Sequence, residues 1–133
     1  GGPLGAILPP ELLDTPLSFE HLAEVGGTLG HGSMVVYDDT VDLMAIAHGL
    51  MAFGARESCG KCFPCRLGST RGKELLGQMR HSGINRENRQ LLQDLCETLN
   101  EGSLCGLGGM LPTPIESLIC FFPHLWQHPE APS

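Results

Sequence analysis

Three cysteines fall within one short stretch, Cys59-Gly60-Lys61-Cys62-Phe63-Pro64-Cys65, and a fourth, Cys105, follows a gap of 39 residues. Two residues separate each neighbouring pair of the first three, so a single tight turn can present three thiolates to a common centre. The distant fourth then closes the set. This geometry suits a 4Fe-4S cluster, in which each iron takes one thiolate, and it makes the chain an electron carrier first of all. Whatever the fold, it has to bring two segments far apart in sequence to one place.

Cys96, Cys105 and Cys120 compete for the fourth position. Cys96 sits among leucines at helical spacing and Cys120 lies between Ile119 and Phe121, so both read as buried core thiols acting as small hydrophobes. Cys105 lies in Gly102-Ser103-Leu104-Cys105-Gly106-Leu107-Gly108, a glycine-rich connection that can approach a cluster closely. Its free backbone N–H groups can hydrogen-bond cluster sulfurs, which raises a reduction potential. Cys59, Cys62, Cys65 and Cys105 are therefore the expected ligands. A structural zinc site is the competing reading, although such sites usually pair two separated C-x2-C units or add histidines. A bacterial ferredoxin repeat would place a further cysteine at position 69, which is Ser69. Lys61 and Arg66 flank the triple and would ease reduction of an anionic centre, or serve only as solvated surface charges.

Composition narrows the rest. A chain of 133 residues with 8 basic and 15 acidic residues carries a formal charge of −7, which gives no electrostatic reason to bind nucleic acid or an anionic membrane. The longest strongly apolar run, Leu118–Phe122, is too short to span a bilayer. No charged start followed by an apolar core suggests a signal peptide. Six clustered cysteines favour a metal site in a reducing compartment, so a cytoplasmic location is expected. The sequence opens at Gly1-Gly2-Pro3 without Met, which reads as a processed product or a fragment of a longer protein.

Along the chain, residues 1–39 read as the α+β tail of a preceding module. Ser18 caps a short helix to Glu24, and Ser33-Met34-Val35-Val36-Tyr37 reads as a strand. From Thr40 the period becomes helical. Thr40 is expected to cap a helix with Val41, Met44, Ala45, Ala47, His48, Met51 and Phe53 on its apolar stripe. A second helix is expected over Cys65–Arg80, a third over Arg86–Asn100 with Leu91, Leu92, Leu95, Cys96 and Leu99 inward, and a fourth opened by Pro112. The fourth turns Ile115, Leu118, Ile119 and Phe122 inward and stops at Pro123. The expectation is a mainly α chain: a four-helix bundle of roughly equal helices over 40–127 carrying the cluster, then a frayed tail at 128–133.

Other candidate chemistry is thin. The six histidines form no ligand or nucleophile pattern, and Ser58 and Ser103 read as capping or hydrogen-bonding the loops. Asp38, Asp39 and Asp42 read as helix-start charges rather than a cation site. Gly26–Gly32 and Gly106–Gly109 lack the G-x-G-x-x-G order and read as turns, so no dinucleotide site is expected here.

With these motifs in view, Glu57–Gly68 and Gly102–Gly108 resemble the iron–sulfur domain of the NADH-binding flavoprotein subunit of respiratory complex I. Related domains occur in NAD-reducing and electron-bifurcating hydrogenases and in NAD-dependent formate dehydrogenases. Gly1–Gly5 through Gly30–Val36 resemble the end of the family's ubiquitin-like SLBB module. Gly2–Ala6 and Leu67–Gly72 look closest to the β subunit of the soluble formate dehydrogenases. The resemblance implies a 4Fe-4S cluster on the four cysteines, in a helical bundle beside a flavin. It implies FMN and NAD bound by an N-terminal region or a partner chain, since this chain lacks their sites. It further implies partners such as a thioredoxin-like 2Fe-2S subunit and a catalytic dehydrogenase or hydrogenase subunit.

Overall fold

The computed structural model describes residues 1–127, and the tail expected at 128–133 lies outside the described residues. The helices are α1 (Phe19–Glu24), α2 (Leu43–Glu57), α3 (Phe63–Ser82), α4 (Arg86–Gly102), α5 (Gly106–Met110) and α6 (Pro112–Phe121). Short 3-10 turns occupy Gly2–Leu4, Pro10–Leu12 and Pro123–Trp126. No helix among the described residues is long and apolar enough to cross a membrane.

Helices α2, α3, α4 and α6 pack in a closed ring, α2 on α3, α3 on α4, α4 on α6 and α6 on α2, so the expected four-helix bundle is borne out. Their lengths are unequal, 15, 20, 17 and 10 residues. The core between them holds Ala47, Met51, Leu75, Leu76, Met79, Leu92, Cys96, Leu99, Leu111, Ile115, Leu118 and Trp126. Trp126 comes from the turn after α6, outside the helical stripes, and its indole N–H donates to the Leu118 carbonyl at 3.1 Å.

α3 is the central helix, touching α2, α4 and α5. Small residues let it sit close to its neighbours. A β-carbon at Gly72 would come within 2.9 Å of the Met51 side chain, and one at Gly68 within 2.9 Å of Leu99. Gly54 of α2 lies similarly hard against Leu111. These glycines forgo some helix propensity and in return allow backbones to approach where larger side chains would hold them apart.

Chain ends of helices are set by side-chain caps. Ser18 Oγ accepts from the His21 N–H, as expected for α1. α2 is capped by Asp42, whose carboxylate accepts from the Ala45 N–H at 2.9 Å, and not by Thr40. Thr40 instead turns back to the Asp38 carboxylate with both its N–H and its hydroxyl, so helix formation starts two residues later. Asn85 and Asn88 form a reciprocal capping box at the start of α4.

The strand expected at Ser33–Tyr37 is not found, and there is no strand among the described residues. Met34, Val35 and Val36 are 61, 67 and 77% exposed, in irregular backbone. β-branched residues favour strands when a neighbouring strand half-buries them, and here no such neighbour is present among the described residues. The expected α+β remnant is therefore α1 plus irregular chain. Leu4 and Ile7 from this region still pack against the core, and the Ile7 N–H donates to Ser117 Oγ on α6 at 2.9 Å.

Candidate metal centre

Both halves of the cysteine set meet at one end of the bundle, where α2 ends and where α3 and α5 begin. Ser58 ends α2, and Cys59, Gly60 and Lys61 form the connection. Gly60 takes φ +79, a left-handed conformation that turns the chain sharply back. Cys62 is the N-cap of α3, and Pro64 stands in the helix's first turn, where its missing N–H costs nothing. Cys65 follows in the same turn, buried at 5% exposure. The helix thus starts two residues before the sequence expectation and presents Cys62 and Cys65 from its rim.

The other half is built on α4 and α5. The end of α4 rests on α3, since a β-carbon at Gly102 would come within 2.9 Å of the Pro64 ring. Cys105 is the N-cap of α5, so Gly106–Met110 is a short helix and not the turn read from the glycines. The physical reason is close packing. At Gly108 a β-carbon would overlap Ser103 and approach the Cys65 β-carbon to 2.8 Å, so only glycine lets α5 lie against the cysteine turn.

Cys62 receives backbone N–H groups from Leu104 and, more weakly, from Cys65, and these hold its thiol pKa below the ordinary value. Leu104 immediately precedes Cys105, so this contact joins the distant cysteine to the first three. Cys59 and Cys105 are exposed, Cys62 half-buried. Cys65 Sγ lies 3.2 Å from Ser58 Oγ, and Ser58 is itself buried. Among the described residues no three His, Cys, Asp or Glu side chains gather as ligands of a single ion. A cubane asks for something different, since its four thiolates attach to four separate irons.

One buried polar atom among the described residues has no hydrogen-bond partner: Ser103 Oγ, beside Cys65 and two residues before Cys105. An unpartnered buried hydroxyl costs about 1–3 kcal/mol. A sulfur-rich anionic group held at this end would give it an acceptor, so the residues fit the 4Fe-4S cluster expected from the spacing. Arg66 lies over the cysteine connection, with Nη2 within 2.6 Å of where a Gly60 β-carbon would be, while Lys61 is exposed. The competing cysteines divide. Cys96 is buried as expected, and burial, with a smaller share from the Glu116 carboxylate, pushes its thiol up to about 12. Cys120 is exposed, contrary to expectation, because it lies on the outer side of α6 while Ile115 and Leu118 face the core.

The histidines described take local roles: His21 with Ser18, His31 with Ser33, His48 against Gly77, His81 with the Gly77 carbonyl, His124 edge-on to Phe122. His128 lies outside the described residues. Asp38 and Asp42, read from the sequence as helix-start charges, act as turn and cap.

Residues 45–128 match the NADH-ubiquinone oxidoreductase-F iron-sulfur binding region. The chain belongs to that family. This bears out the resemblance read from the cysteine motifs, and membership implies a 4Fe-4S cluster. The chain is 37% identical over 122 residues to the NADP-reducing hydrogenase subunit HndC of Solidesulfovibrio fructosivorans, covering 92% of this chain and 25% of that protein. It is 33% identical over 124 residues to the mitochondrial NADH-ubiquinone oxidoreductase 51 kDa subunit of Neurospora crassa, again at 92% and 25% coverage. The fold matches a crystal structure of an NAD+-reducing NiFe hydrogenase in the H2-reduced state with a TM-score of 0.83 and 32% identity. That match covers 95% of this chain and 21% of the hydrogenase chain. The chain thus spans about a quarter of the length of the relatives it matches, and as a family member it is an iron–sulfur electron-transfer module.

Proposed function

We propose that Cys59, Cys62, Cys65 and Cys105 hold the 4Fe-4S cluster, and that the chain relays electrons within an NAD(H)-linked oxidoreductase. In this reading, electrons pass between an FMN bound outside the chain and further iron–sulfur centres. The observation that carries the ligand choice is the packing of the Cys105 segment on the cysteine turn, where a β-carbon at Gly108 would come within 2.8 Å of the Cys65 β-carbon. When bound, the cluster takes up and releases one electron at a time. The chain's own residues do the rest. Cys65 is shielded by Ser58 and Gly108, the N–H groups of Leu104 and Cys65 stabilise a thiolate at Cys62, and Arg66 sets a positive charge over the loop.

The relatives named are subunits of larger NADH- or NAD(P)-linked assemblies, which supports partner subunits here. We place FMN and NAD on the region or chain that those relatives add to this quarter of their length. A thioredoxin-like 2Fe-2S subunit and a dehydrogenase or hydrogenase subunit are the proposed neighbours, in a cytoplasmic complex. Residues 1–39 would belong to the preceding SLBB module and 40–127 to the cluster domain. The formate dehydrogenase assignment rests on Gly2–Ala6 and Leu67–Gly72 alone.

The test is iron, acid-labile sulfide and zinc analysis on anaerobically purified protein, with EPR after dithionite reduction. About four irons and four sulfides per chain with a reduced-state signal is the expected result. Cys105→Ser should lose most of its iron, whereas Cys96→Ser and Cys120→Ser should keep it. Zinc without sulfide, or iron retained in Cys105→Ser, would defeat the assignment.

A further inference from the structure

The Ser103 hydroxyl is the one buried side-chain polar atom without a partner among the described residues. Its surroundings leave it little freedom. The place a β-carbon on Gly108 would take is already filled by Ser103 Oγ and Cβ, and the Cys65 β-carbon lies within 2.8 Å of the same point. Ser103 and Cys65 therefore share the surface of Gly108. Ser58 Oγ also lies against Cys65, 3.2 Å from its sulfur, and Ser58 is buried. Ser103 itself follows the last turn of α4, its N–H committed to the Leu99 carbonyl at 3.3 Å, so the backbone is fixed and only the hydroxyl remains uncommitted. Ordinary capping does not explain it, because no side-chain cap bond forms at α5.

We propose that Ser103 is a positioning residue of the metal centre: its hydroxyl donates a hydrogen bond to a sulfur at the Cys65 corner, steadying that corner and raising the reduction potential. The inference rests on the reading of Cys65 and Cys105 as cluster ligands. A hydroxyl can donate one proton and accept others, and a thiolate or bridging sulfide bound to iron is an acceptor only. Hydrogen bonds to cluster sulfurs stabilise the reduced state, which carries the extra negative charge, and so raise the potential. Burial strengthens the effect because no water competes at Ser103 Oγ. Ser58 would reverse roles in the loaded site. In the free thiol Cys65 donates to Ser58 Oγ, whereas a Cys65 thiolate can only accept from it.

The experiment is an EPR-monitored redox titration of the holoprotein with Ser103→Ala, beside the Ser103→Thr and Ser103→Val pair. Threonine and valine have nearly equal volume and differ by the hydroxyl, so the pair separates hydrogen bonding from packing. Iron and sulfide are counted in each variant before titration. Absence of iron and sulfide from the wild-type protein would reject the ligand reading itself, independently of Ser103. With the wild type loaded, the expected result is a more negative midpoint in Ser103→Ala and Ser103→Val and a midpoint near wild type in Ser103→Thr. Proton ENDOR after exchange into D2O should show an exchangeable coupling in wild type and Ser103→Thr that is missing from Ser103→Ala. Should alanine and valine fail to load, loading by threonine alone would still support the hydroxyl's role. Threonine and valine behaving alike, loaded or not, would overturn the proposal, as would a loaded Ser103→Ala with unchanged midpoint and coupling.

Discussion

Cys62, Cys96 and Cys120 occupy three different environments, and each environment dictates a different chemistry. Cys62 is surrounded by N–H donors that favour its thiolate, Cys96 is enclosed by apolar side chains that favour its thiol, and Cys120 meets solvent. In the cluster-loaded protein Cys120 should therefore alkylate quickly at pH 8 while Cys96, with its thiol pushed up to about 12, stays unmodified until the protein unfolds. Mass spectrometry of iodoacetamide-treated protein reads this directly, and rapid modification of Cys96 would contradict its burial. The same difference appears in stability. Cys96→Ser should lower unfolding free energy by about 1–3 kcal/mol through a buried hydroxyl, and Cys120→Ser by no more than about 0.5 kcal/mol. The first three proposed ligands could be read from spacing alone, because C-x2-C-x2-C needs only local geometry, whereas Cys105 was read from its glycine-rich connection and from setting aside Cys96 and Cys120. The exposure of Cys120 could not be read, since Ile119 and Phe121 flank it in sequence but helix α6 turns them to other sides.

At the level of elements, helix existence was visible in apolar periodicity and helix starts were not. Thr40 and Asp42 are both good caps, and the choice between them depends on Thr40 being engaged by Asp38 and on Arg80 of α3 reaching Asp42 at 3.1 Å. That second contact is long-range and leaves no mark on the local sequence. The Ala45 N–H, with a lesser share from Arg80, holds the Asp42 carboxyl below its ordinary value. A lowered carboxyl stabilises the fold above the ordinary carboxylate range and ceases to do so as pH falls through its folded value. Asp42→Ala should cost about 1 kcal/mol at neutral pH, the usual worth of an N-cap, and this difference should shrink below about pH 3.9. Urea unfolding of the two proteins across that range measures it, and a difference that grows on acidification would refute the capping role. The Ser33–Tyr37 strand failed for a related reason: β-propensity reports what a residue does beside a neighbouring strand, and sequence does not reveal whether the neighbour is there. Helix α5 was hidden because three of its five residues are glycine, a composition that says turn until Gly108 is seen to need its missing β-carbon.

Taken whole, the molecule divides its labour unevenly. A ring of four helices around Leu76, Leu92, Ile115 and Leu118 supplies the rigidity, and the proposed ligands all sit on one end of it. The first three belong to the mouth of a 20-residue helix, whereas the fourth caps a helix of five. So short a helix is marginal by itself, and each glycine costs it about 0.8–1.0 kcal/mol relative to alanine. α5 is thus the element whose order depends most on what Cys105 is attached to. An unloaded chain should be nicked first between Glu101 and Leu111 by a broad-specificity protease, while the loaded chain should resist there and be cut elsewhere first. Equal cleavage of both forms at this segment would show that α5 stands without the centre. Where only the loaded chain resists, the glycine content of α5 acts as a maturation tag: a cell's proteases could tell a finished copy from an unfinished one by the state of five residues, without sensing iron at all.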